Sequence, residues 1–314
     1  MDPHVSRIEY SRSQALFKRM FDARMTPSKL LNHKAAVNLL AADGLSLSCD
    51  LHGMAGNASL VFTHGFGQTR QAWQATAAHL ANQNFLCLCA DARGHGASDW
   101  HPDGGYEIDQ FVADLELMAA FAGPSAVLVG ASFGGLVGLL AQARNPNLFR
   151  ALVLVDITPR WEAAGVERIL AFMRAHPDGF ASLDEAAASI AAYLPHRRET
   201  RSPQRLQSLL VPRDDGRFRW HWDPALLERI AENGERHQAA LVDAARRIDV
   251  PVLLLSGSDS DVVSQATIAE FLELVPQARH VVVPRATHMV AGDRNDLFTD
   301  AVLSFVRTLP RGRN

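Results

Sequence analysis

From residue 36 onward, short apolar runs alternate with longer stretches in which apolar side chains recur every three to four residues. The short runs lie at 36–41, 45–51, 60–63, 86–91, 126–130, 152–156, 252–256 and 279–283, and each is predicted as a strand. The helical stretches lie at about 72–83, 108–121, 133–145, 264–275 and 294–308. Ala126–Val129, Leu152–Val155 and Val252–Leu255 are apolar at every position, which is how strands buried on both faces read. The first two runs are joined by Asp43-Gly44, a tight-turn pair, so an antiparallel hairpin is expected to open the sheet. Beyond it, strand–helix alternation predicts parallel strands with crossover helices. The expected class is α/β, a mostly parallel sheet with helices on both faces.

One stretch interrupts this rhythm. Residues 157–248 are rich in Ala, Arg and His and contain Pro159, Pro177, Pro195, Pro203, Pro212 and Pro224. They read as several short helices inserted between two core strands. Open α/β sheets bind ligands at the carboxyl edge, so the insertion is expected to form a helical cap there. The expected division is a helical arm over 1–35, a core over 36–156 and 249–314, and a cap over 157–248. In the arm Leu16, Phe17, Met20, Phe21 and Arg24 fall at helical spacing. It reads as an amphipathic helix packed on the body or on a second copy in a homo-oligomer.

Composition narrows the function classes. The net charge is -3, which offers neither a nucleic-acid footprint nor an electrostatic funnel for acidic partners. No apolar run reaches the roughly 20 residues of a membrane helix, and the charged first 20 residues do not read as a signal peptide. The three cysteines are Cys49, Cys87 and Cys89. An odd number without framework spacing fits a reducing, cytoplasmic setting better than a disulfide scaffold. Cys87 and Cys89 share one face of an apolar strand and read as buried thiols rather than metal ligands.

The chemistry is concentrated in two turns. Gly130-Ala131-Ser132-Phe133-Gly134 follows one strand directly and opens a helix. This is a G-x-S-x-G elbow in the context that lets a serine act as nucleophile. Small neighbours are needed because the serine sits on a strained turn between strand and helix. His64-Gly65-Phe66-Gly67 follows the strand at 60–63. The backbone N–H groups of Phe66 and Phe133 are the expected oxyanion hole. His64 itself reads as structural.

Together with Asp91-Ala92-Arg93-Gly94-His95-Gly96-Ala97-Ser98, these motifs resemble the α/β-hydrolase superfamily over about residues 36–308. The capped bacterial group of esterases, meta-cleavage-product hydrolases and cofactor-free haloperoxidases is the nearest in flavour. The resemblance implies that 91–98 is a turn motif, giving Arg93 and His95 structural roles. It implies the order nucleophile, acid, base, with the base on a loop after the last strand, where His288 stands. The acid is assigned to Asp261, which precedes Val262-Val263-Ser264 and a helix. Asp259 is the next candidate, and Asp156, after the sixth strand, the third. Asp293 reads as a cap of the final helix.

These parts imply a serine hydrolase that needs no cofactor or metal, acts on a small-molecule carboxylic ester or lactone, and works through an acyl-enzyme. A serine at the elbow excludes the dehalogenation and epoxide chemistries that use a carboxylate nucleophile. Hydrolysis of a C–C bond of the meta-cleavage type, cofactor-free haloperoxidase or perhydrolase chemistry, and a ligand receptor retaining the three residues stay open. Trp161, Trp220 and Trp222 are the expected substrate-contacting residues of the cap.

Overall fold

The computed structural model describes residues 34–193, 206, 209–231 and 234–310. The arm's expected helix lies outside them. The described core is an eight-stranded sheet. Its strands are β1 (Lys34–Leu40), β2 (Ser46–His52), β3 (Ala58–Thr63), β4 (Phe85–Ala90), β5 (Val127–Ala131), β6 (Ala151–Val155), β9 (Val252–Gly257) and β10 (Ala278–Val283). They lie in the order β1-β2-β4-β3-β5-β6-β9-β10. β2 runs antiparallel to both β1 and β4. From β4 to β10 every neighbour is parallel. All eight expected strands are present, and the hairpin forms across Asp43-Gly44, with the Gly44 amide donating to the Ala41 carbonyl at 2.9 Å.

Alternation along the strands divides the core into two layers. In β4, Leu86, Leu88 and Ala90 face one side while Phe85, Cys87 and Cys89 face the other. On the first side lie α2 (Ile108–Ala122) and α3 (Phe133–Arg144), with α6 (Gly234–Arg246) and α7 (Gln265–Leu274) beyond. On the second lie α1 (Gln74–Asn82) and α9 (Asn295–Thr308), the latter reached through the short α8 (Val290–Asp293). Helix α9 shows why. Phe298, Val302, Phe305 and Val306 are buried and recur at the spacing of one helical face. Cys49, Cys87 and Cys89 are free and buried, and burial pushes all three thiols up, away from the reactive thiolate. Among the described residues no helix is long and apolar enough to cross a membrane.

The inserted stretch is mixed rather than helical throughout. It contains α4 (Ala163–Arg174) and α5 (Leu183–Tyr193), and then a two-stranded ribbon of β7 (Leu210–Pro212) and β8 (Phe218–Trp220). These strands are only three residues each, too short for a period-2 pattern to show. Helix α6, which sequence placed in the cap, packs instead against α3 and α7 on the flank of the sheet.

Candidate active site

The site forms where β5 and β6, adjacent in the sheet, reach their carboxyl ends. Ser132 occupies the turn from β5 into α3 with φ +47°. A non-glycine residue held there stores about 1–3 kcal/mol of strain. The turn closes only because its surroundings lack side chains. A Cβ on Gly130 would fall 2.8 Å from the Gly134 carbonyl oxygen, and one on Gly134 2.8 Å from the His64 carbonyl oxygen. A Cβ on Gly65 would stand 3.1 Å from that of Ser132, so glycine brings the 64–67 loop against the serine.

His288 lies on the loop after β10, with its side chain mostly buried. Ser132 Oγ and His288 Nε2 are 3.0 Å apart. His288 Nδ1 is 2.7 Å from Asp156 Oδ2. A carboxylate can only accept, so Nδ1 carries the proton and Nε2 is left to accept from the serine hydroxyl. Asp156 is fully buried at the end of β6, also at positive φ, +51°. Its oxygens accept further bonds from the Gly257 amide at 2.8 Å and the Ser260 hydroxyl at 2.5 Å.

The carboxylate against His288 is therefore not Asp261. Asp261 is one-third exposed and pairs with Arg168 of α4 at 2.5 Å. Beside it Gly165 approaches so closely that a Cβ would fall 2.1 Å from the Asp261 carbonyl oxygen. Asp259 is exposed and accepts from the Ser258 hydroxyl at 3.0 Å. The loop 257–264 thus supplies donors to Asp156 and a seat for α4. Asp293 does not cap α9, whose N-cap residue is Arg294. It accepts from the amide and hydroxyl of Thr287, at 2.9 and 2.6 Å, and so anchors the loop that carries His288.

The Phe66 and Phe133 amides flank the serine, one on the glycine loop and one at the first residue of α3. Among the described residues neither has an acceptor. Above them is a cavity of about 260 Å³ whose lining includes Ser132 and His288. Its roof is aromatic: Tyr193 stacks on Phe172 with ring centres 4.2 Å apart, Phe172 meets Trp220 at 5.7 Å, and Trp220 stacks on Trp222 at 4.7 Å. Trp161 is not among the lining residues. It packs, half-buried, at the edge of the core.

The 91–98 turn carries this roof. Asp223 donates its amide to the Gly94 carbonyl at 2.9 Å and accepts from the Tyr106 hydroxyl at 2.7 Å. His221 Nδ1 accepts from the Gly96 amide at 3.1 Å. Arg93 places its guanidinium fork on Asp114, with both bonds at 2.7 Å. These roles are structural. Sequence gave no sign that this turn and the Trp220–Asp223 segment meet, because they lie more than 120 residues apart.

The family model for the alpha/beta hydrolase fold matches residues 58–294. The chain belongs to this family. Among its relatives is the 2-(acetamidomethylene)succinate hydrolase of Mesorhizobium japonicum, 29% identical over 254 residues, covering 79% of this chain and 87% of the relative. Another is an sn-1-specific diacylglycerol lipase of Mus musculus, 30% identical over 260 residues, covering 79% and 80%. A crystal structure of E-2-(acetamidomethylene)succinate hydrolase superposes with a TM-score of 0.77 at 28% identity, over 88% of this chain and 100% of that one.

This alpha/beta hydrolase buries three histidines beside the glycine loop. His64 Nε2 accepts from the Ala92 amide at 3.0 Å and His95 Nε2 from the Gly67 amide at 3.1 Å. Their other nitrogens face the Gly65 and Arg93 carbonyls, so both rings are neutral with the proton on Nδ1. Burial pushes His64 down, His95 well down, and His221 down to about 4. A histidine depressed in the folded state binds protons preferentially when unfolded. Its stabilising contribution is complete above its unfolded value of 6.5 and is lost as the pH falls from there toward the folded value. From pH 7 to pH 4, His221 alone is expected to cost on the order of 3 kcal/mol. Urea unfolding midpoints measured across that range check this, and an unchanged midpoint between pH 7 and pH 4.5 refutes it. Among the described residues no group of three or more His, Cys, Asp and Glu side chains is placed to hold a metal ion.

Proposed function

We propose that this alpha/beta hydrolase cleaves a carboxylic ester or lactone through an acyl-enzyme on Ser132. The observation that carries the reading is the hydrogen-bonded chain Ser132–His288–Asp156 beside two amides without acceptors. His288 removes the serine proton as Oγ attacks the carbonyl, and the Phe66 and Phe133 amides receive the charge that develops on oxygen. Asp156 keeps the ring in the tautomer that accepts, and stabilises the imidazolium. His288 then returns its proton to the leaving alcohol. In the second half it takes a proton from water, whose oxygen attacks the acyl carbon and restores Ser132. The lipase named among the relatives supports an ester as the bond cleaved.

The test is direct. The protein should turn over p-nitrophenyl esters, and a fluorophosphonate should add a single mass to the tryptic peptide containing Ser132. Labelling at another residue, or no turnover of any ester in a series from acetate to decanoate, would refute the proposal.

A further inference from the structure

Asp156 is held by a turn of the chain as well as by His288. The turn runs from Gly257 to Ser260 and is closed by the Ser260 amide, which donates to the Gly257 carbonyl at 3.3 Å. Its two ends reach the carboxylate together. The Gly257 amide donates to Asp156 Oδ1 at 2.8 Å, and the Ser260 hydroxyl donates to Oδ2 at 2.5 Å. Oδ2 is also the oxygen that faces His288 Nδ1, at 2.7 Å. The side chain that reaches the site from this loop is therefore the serine between Asp259 and Asp261. Its hydroxyl is fixed in direction. A serine oxygen offers one hydrogen and two lone pairs. The amides of Val262 and Val263 donate to Ser260 Oγ at 3.2 and 3.1 Å, which occupies the lone pairs and leaves the hydrogen to Asp156. Val262 is itself anchored, because its carbonyl accepts from the amide of Glu162, the N-cap of α4, at 2.9 Å. Hydrogen bonds arranged head to tail polarise one another, so the two backbone amides strengthen the donor that the carboxylate meets.

The geometry points to Ser260 as a positioning residue of the reaction: it fixes the direction in which the Asp156 carboxylate meets His288, and so keeps the accepting nitrogen of the ring on Ser132. The inference rests on the roles proposed above for Ser132, His288 and Asp156. Ser260 touches no reacting atom and is not among the described residues that line the cavity, so it acts through Asp156 alone. Without its hydroxyl the carboxylate keeps the Gly257 amide on one oxygen and His288 on the other. It is then free to turn about the Gly257 bond, and the bond to Nδ1 lengthens.

Two readouts test this, and one of them needs no substrate. Ser260→Ala is expected to lower kcat on p-nitrophenyl esters about tenfold, the size of a lost hydrogen bond to a charged group. KM should stay within about twofold, because binding is not touched. The proton on His288 Nδ1 gives a low-field NMR resonance, assigned by its loss in His288→Gln, and in Ser260→Ala it should move upfield and broaden. Ser260→Thr, which keeps the hydroxyl, should recover most of both. Ser260→Cys, of similar size with a weak donor, carries the alanine expectation if the alanine variant does not fold. Ser258→Ala removes a hydroxyl of the same turn that serves Asp259 at 3.0 Å and the Arg285 amide at 2.8 Å. It should move neither readout, which separates positioning of the acid from a general loosening of the turn. A resonance that stays or moves downfield in Ser260→Ala overturns the inference. So does a kcat within about twofold of wild type, an equal effect of Ser258→Ala, or a folded Ser260→Thr protein that restores nothing. A resonance that moves as expected in a protein that hydrolyses no ester supports the inference and counts against the ester reading alone.

Discussion

Ser132→Ala is expected to lower kcat by roughly a million-fold while leaving the protein folded. The size follows from how the site is built. Among the described residues the hydroxyl on the accepting nitrogen of His288 is that of Ser132, 3.0 Å away, and in the proposed mechanism the histidine without it has no nucleophile to activate. Folding should survive because, among the described residues, Ser132 Oγ makes no other hydrogen bond and does not cap α3. The turn is held by its backbone, with the Ser132 amide donating to Val155 at 3.0 Å and the Gly135 amide to the Ser132 carbonyl at 2.9 Å. Single-turnover kinetics, circular dichroism and a thermal melt together check the prediction. An alanine variant with more than a hundredth of the wild-type kcat would show that another group attacks.

Asp156→Asn is expected to lower kcat by roughly ten-thousand-fold, whereas Asp261→Asn should change it by no more than a few-fold. An asparagine at 156 keeps the size of the side chain but presents an amide, which can donate to His288 Nδ1 and favour the tautomer that no longer accepts from Ser132. Asp261 has no such leverage. Its partner Arg168 is more than half exposed, and pairs of that kind are worth about 0–1 kcal/mol. What Asp261→Asn should disturb is the seating of α4, seen as a raised KM for long-chain esters at nearly constant kcat. Melting temperatures of both variants separate lost folding from lost chemistry, since Asp156 is buried with three donors. An active Asp156→Asn protein beside an inactive Asp261→Asn protein would reverse the assignment.

Much of this molecule is readable without coordinates, for local reasons. A strand buried on both faces must be apolar at every position, so β5, β6 and β9 announce themselves. A helix packed by one face repeats its large residues at i, i+4 and i+7, as α9 does from Phe298 onward. The elbow at Ser132 and the loop at Gly65–Gly67 are legible because a backbone that must pass within van der Waals distance of another leaves room only for glycine or alanine. His288 follows from its place after the last strand of the family's pattern.

What sequence left open depends on which strands become neighbours. Asp156, Asp259 and Asp261 each follow an apolar strand, and the Val262-Val263-Ser264 pattern that favours Asp261 carries no information on which strand end lies beside the elbow. The sheet order β5-β6-β9 decides it: the end of β6 lies beside the elbow, while the loop after β9 is one strand farther away and passes over the top. That geometry turns the Gly257–Ser260 segment into a set of donors for the Asp156 carboxylate and leaves Asp261 to hold α4. The same holds for the roof. Trp220 and Trp222 line the cavity and Trp161 does not, although all three are tryptophans of one insertion, because the ribbon of β7 and β8 and the bonds from His221 and Asp223 to the 91–98 turn bring only the first two over Ser132. Periodicity and small-residue turns are written in the chain because they arise between near neighbours. The pairing of a buried carboxylate with a histidine 132 residues away exists only once the sheet has assembled.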